Sequence, residues 1–122
     1  MNLKALTLVS ILAAASPSFA HEVQKGPNGG RVADAGTYHV ELVAKDNTVD
    51  IFLTDSEDKA VSPSGFKGTA ILVVNGKAQR IVLEAASEAK LTGKASVALP
   101  AQPKGAIQLT APDGKTASAK FN

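Results

Sequence analysis

The chain has 122 residues, 44% hydrophobic and 20% charged, with a formal net charge of +2. That length fits one ordinary domain, and near-average charged and apolar fractions exclude a disordered tail protein. Cys is absent, which excludes disulfide frameworks, thiol nucleophiles and Cys-based metal sites, and a charge so small and evenly spread argues against a nucleic-acid partner.

The first twenty residues read as an export signal. Lys4 supplies a positive start, and Ala5 to Ala15 is apolar except for Thr7 and Ser10. The stretch falls short of the ~20 residues that span a bilayer, and Pro17 breaks it. Ser18-Phe19-Ala20 then places small residues at −3 and −1 of a cut after Ala20. A cut after Ala15 would leave Pro17 close behind it. The expected product starts at His21, is periplasmic, and has no membrane span. Without Cys near the cut, it cannot carry a lipoprotein anchor.

Residues 21–30 hold three Gly and one Pro, so a flexible arm is expected there. Tyr38 to Ala44 alternates, with Tyr38, Val40 and Leu42 on one face and His39, Glu41 and Val43 on the other. Lys45 to Thr48 is a turn, and Val49 to Thr54 alternates again, completing a hairpin. Phe52 shares the face of Val43, His39 and Glu41, so that face is expected to be partly covered or to contact a partner. The acidic stretch Asp55 to Asp58 reads as a solvated turn, because the rest of a calcium loop is missing. Ala70 to Val74 is continuously apolar, the pattern of a strand covered on both faces. Asn75-Gly76 is a strong hairpin signal, returning through Arg80 to Leu83. Residues 85–90 are too short a segment for a helix. Ser96 to Leu99, Ala106 to Thr110 and Lys115 to Phe121 complete the strands, the last two joined by Pro112-Asp113-Gly114.

Seven short strands with turn signals between them predict an all-β domain over residues 31–122, an antiparallel immunoglobulin-like β-sandwich. The expected core is Tyr38, Val40, Leu42, Ile51, Leu53, Ile71, Val73, Ile81, Leu83, Val97, Leu99, Ile107 and Leu109, with Leu72 as the alternative inward residue of its run.

The chemistry concentrates in two His residues. After the cut, His21 carries both a free α-amine and an imidazole, which together chelate one ion. A second imidazole from His39 makes three nitrogens, a set suited to Cu(II). An α-amine of pKa ~7.7–8.0 loses its proton at neutral pH for about 1 kcal/mol. Glu41 lies two residues beyond His39 on one strand face, as an auxiliary oxygen ligand or an orienter of His39. Enzyme patterns are absent: there is no Gly-x-Ser-x-Gly elbow and no phosphate loop. Tyr38, Phe52, Phe66 and Phe121 are too few aromatics for the substrate platform of a copper monooxygenase.

Gly26-Pro-Asn-Gly-Gly-Arg31, Gly36-Thr-Tyr-His-Val-Glu-Leu42 and Ile51-Phe-Leu-Thr-Asp55 together resemble small secreted bacterial proteins. The same residues are similar to the N-terminal segment of periplasmic adaptor subunits of heavy-metal efflux pumps. Those adaptors often carry His just before the Gly pair, where this chain has Asn28. The resemblance implies heavy-metal handling and an envelope efflux complex as partner. Two readings follow. One is a periplasmic metal-binding or metal-delivery protein using His21, His39 and Glu41, with copper favoured over zinc and nickel. The other is a metal-free interaction module that docks on an envelope complex.

Overall fold

The computed structural model describes residues 24–86 and 89–122; residues 1–20, read above as an expected export signal, and His21 lie outside them. Every described element is a strand: β1 (Gln24–Lys25), β2 (Arg31–Ala35), β3 (Tyr38–Lys45), β4 (Thr48–Thr54), β5 (Lys67–Val74), β6 (Lys77–Ala86), β7 (Lys90–Lys94), β8 (Lys104–Thr110) and β9 (Thr116–Phe121). Among the described residues no helix is long and apolar enough to cross a membrane.

Among the described residues nine strands form rather than seven, joined in one antiparallel order, β1-β2-β3-β4-β7-β6-β5-β8-β9. The expected immunoglobulin-like sandwich of two separate sheets is therefore replaced by one curled sheet. The cause lies in β6, which pairs with β5 from Lys77 to Leu83 and then with β7 from Glu84 to Ala86. A strand that serves both halves fuses them into a half-barrel, and the curl brings β2 against β9 without a hydrogen-bonded ladder.

The hairpins follow from their turn residues. Asn75 and Gly76 take φ 52° and 75°, as a two-residue type I′ turn requires, between the paired Val74 and Lys77. Asp46 takes φ 55° between β3 and β4. Alternation then sends Val40, Leu42, Val49, Ile51 and Leu53 inward, all nearly inaccessible. Ile81, Leu83, Ile107 and Leu109 close the core from the other half, with Tyr38 and Leu99 packed at its margin.

Three expectations are corrected. In β5 the inward residues are Ala70, Leu72 and Val74, while Val73 is 46% exposed and Ile71 half-buried. The apolar run is thus covered on one face only, because a single curled sheet has a single lined interior. Ser96 to Leu99 is not a strand, and Val97 is exposed. The backbone there binds the β3–β4 turn instead, with Ala95 N donating to Asn47 O and Leu99 N to Asp46 O. The strand in this region is β7, with fully buried Leu91 as its inward residue and Gly93 where any Cβ would overlap Val82 O.

Candidate functional site

β3 positions both predicted site residues described here, and as expected they share its outer face. Their environments differ. Glu41 is 4% exposed. Its carboxylate accepts hydrogen bonds from Asn28 N at 2.9 Å, Asn28 Nδ2 at 2.9 Å and Gly30 N at 2.8 Å. The 26–30 turn is also closed on itself, with Gly26 N donating to Gly30 O and Gly29 N to Gly26 O. Two of its glycines are required by contact. A Cβ on Gly26 would overlap the Glu41 carboxyl group, and one on Gly30 would overlap Leu42 O.

Residues 24–30 therefore carry more structure than the loose arm expected from their composition. The turn covers the outer face of β3, which accounts for the covered face that Phe52 and Val43 suggested. The Gly26–Arg31 and Gly36–Leu42 segments that carry the resemblance meet in this one device: a buried carboxylate on β3 gathers the amides of a glycine turn. Both Glu41 oxygens are engaged in it, and the geometry gives Glu41 a structural role.

His39 stands at the rim. Its side chain is 33% exposed, and its Nδ1 lies 2.5 Å from Asp34 Oδ1. Asp34 comes from the neighbouring strand: the Gly36-Thr37 turn pairs Asp34 directly with His39. A carboxylate at Nδ1 favours, in the neutral ring, the tautomer with its N–H on that side, which leaves Nε2 as the free ring nitrogen. Nε2 lies 3.8 Å from Asp58 Oδ1, on the side of β4. Below the imidazole a cleft of about 260 Å³ opens, lined by Val32, Phe52, Pro27 and Ala60 among others.

Asp58 is placed by its loop. The carboxylate of Asp55 accepts hydrogen bonds from Glu57 N at 2.8 Å and Lys59 N at 3.0 Å. Those donors, Lys59 foremost, hold the Asp55 carboxyl below its ordinary 3.8. Asp58 takes φ 60°, and the bridge between Thr54 and Ala60 closes the loop.

From the sequence, Asp34 is not among the site residues, and Asp58 figures only as part of an incomplete calcium-loop pattern. The signal for Asp34 was present, since a two-residue turn at Gly36-Thr37 fixes its register against His39. Asp58 sits in a stretch whose acidic composition reads as solvated turn, and only the fold brings it back over β3. Among the described residues no three His, Asp or Glu side chains converge on one point. The two aspartates flank the imidazole, one on each ring nitrogen. No protein-family model, curated protein or solved structure matches the chain.

Proposed function

We propose that the processed chain is a periplasmic copper-binding or copper-delivery protein whose site is completed by its own N-terminus. The observation that carries this reading is the 2.5 Å contact between Asp34 and His39 Nδ1. Metal-binding imidazoles characteristically give their second ring N–H to a carboxylate, which raises their basicity and fixes their aim. His39 Nε2 is the nitrogen so presented, and Asp58 is an oxygen donor beside it. The oxygen assigned from sequence to Glu41 passes to Asp58, and the orienting role passes to Asp34. The amine and imidazole of His21 supply two further nitrogens, giving the N,O set that Cu(II) prefers.

The N-terminus has the reach for this. Gln24 pairs with Val32, a residue of the cleft wall. Two strand spacings and two residues along a strand separate Gln24 from His39, a span of roughly 12 Å. Three residues extend to about 10 Å, and each imidazole adds several more. The resemblance to efflux adaptors supports a role in heavy-metal handling beside an envelope complex.

The test is a Cu(II) titration of protein purified from the periplasm, followed by calorimetry and EPR. The expected result is one site with nitrogen hyperfine structure, weakened and altered in His39→Ala and weakened in Asp58→Asn. Binding no tighter than a generic surface His would favour the metal-free interaction module.

A further inference from the structure

Charge that is evenly spread along the chain is not evenly spread on the fold. Between residues 31 and 60 stand Asp34, Glu41, Asp46, Asp50, Asp55, Glu57 and Asp58, against Arg31, Lys45 and Lys59. The outer face of β6, β5, β8 and β9 is the reverse. Inward parity is fixed there by Leu72, Ile81, Ile107 and Ala119, all buried. The outward positions therefore include Lys67, Arg80, Lys104 and Lys120, each exposed. Glu84, at the far end of β6, is the one outward acid of these four strands.

Register assembles these cations into a patch. Arg80 pairs with Ile71, Ile71 with Ala106, and Ala106 with Lys120, so one row crosses four strands. Its ends are roughly 14 Å apart at the usual strand spacing. In the next row Lys104 pairs with Val73, and beyond the first Thr69 pairs with Val82. Val73 and Val82 are 46% and 65% exposed. Among the described residues, none of the ion pairs takes a cation from this face.

We infer that this face docks on the surface of an anionic phospholipid bilayer. The chemistry favours that occupant over a protein. The outward residues of these strands include no aromatic side chain, so the patch lacks the aromatic anchors that concentrate binding energy in protein interfaces. It offers dispersed cations among exposed valines, with Lys104 directly opposite Val73. A diffuse negative surface is recognised by summed charge without a shaped pocket, and Lys stems beside aliphatic side chains rest at such an interface. Arg80, Lys104 and Lys120 take no part in the His39 site, so this inference stands apart from the copper reading.

The test is cosedimentation of periplasm-purified protein with vesicles, one-third phosphatidylglycerol in phosphatidylcholine, against pure phosphatidylcholine vesicles. The protein should partition onto the anionic vesicles in low salt and leave them in half-molar salt. Lys104→Gln combined with Lys120→Gln should lower partition by about tenfold or more. Lys45→Gln combined with Lys59→Gln, on the acidic half, should change it less than about twofold. Partition that ignores lipid charge, or equal loss in both double variants, would overturn the inference. So would low-salt self-association that Lys104→Gln/Lys120→Gln abolishes while anionic vesicles bind nothing, since a second copy would then occupy the face. Cu(II) titration of the same double variants reports separately on the His39 site.

Discussion

Glu41 shows how much one buried carboxylate can organise. Two backbone N–H groups and a side-chain amide of the 26–30 turn are satisfied by it alone. Glu41→Ala leaves those donors without their acceptor, at a cost of about 2–4 kcal/mol, measurable by urea denaturation. Gly26→Ala is expected to destabilise as well, because its methyl group would enter the space of the Glu41 carboxyl. In the proposed site Asp34 would act through His39, which it contacts at Nδ1. Asp34→Asn should weaken Cu(II) binding by about 10–100-fold, as loss of an orienting carboxylate does at comparable sites, while barely moving stability. Asp55 titrates below 3.8 in the folded state because its carboxylate accepts the Lys59 and Glu57 amides. A folded-state pKa that is lowered adds stability above the unfolded value and loses it as pH falls through the folded value. The 55–60 loop is thus tightest above about pH 4 and loosens in stronger acid, an expectation that an NMR titration of the Asp55 carboxyl tests directly.

At the level of strands, alternation and turn chemistry made β3, β4, β6, β8 and β9 legible, together with the Asn75-Gly76 turn. The limits were physical. In Ala70 to Val74 every residue is apolar, so periodicity carried no information on which side faces inward. Curvature settled it in favour of Leu72. Leu72→Ala should therefore cost about 2–5 kcal/mol, and Val73→Ala well under half as much in the same denaturation experiment. β7 escaped notice because Lys90-Leu-Thr-Gly-Lys94 holds one apolar residue and a glycine, the latter required where β6 approaches closely. Ser96 to Leu99 reads as a strand from composition, but the Leu99 amide, with that of Ala95 just before the segment, donates to the β3–β4 turn instead. The candidate site was half legible. His39 and its shared face with Glu41 were readable from spacing, whereas the proximity of Asp34 and Asp58 to the imidazole depended on a cross-strand pair and on the 55–60 loop.

Closure of the whole molecule depends on side chains where the ladder stops. Arg31, 8% exposed at the start of β2, donates to Pro103 O and, at 3.3 Å, to Asn122 O. Its guanidinium lies over the Phe121 ring, 5.6 Å from the centroid. This ties β2 to β9 across the open seam. Arg31→Ala should cost at least about 2 kcal/mol and selectively raise hydrogen exchange along β9. The same frame leaves the first described strand beside the His39 cleft, where Gln24 pairs with Val32 of its wall, and the proposed metal site rests on that placement. The most direct test compares two proteins identical in every side chain after residue 20: one beginning with a free His21 amine, the other with a single Met ahead of it. The extra residue turns the amine into an amide and removes one nitrogen donor. Calorimetry should find Cu(II) bound much more weakly to the extended form, with a changed EPR spectrum. Equal affinity and identical spectra for the two proteins would contradict completion of the site by the N-terminus.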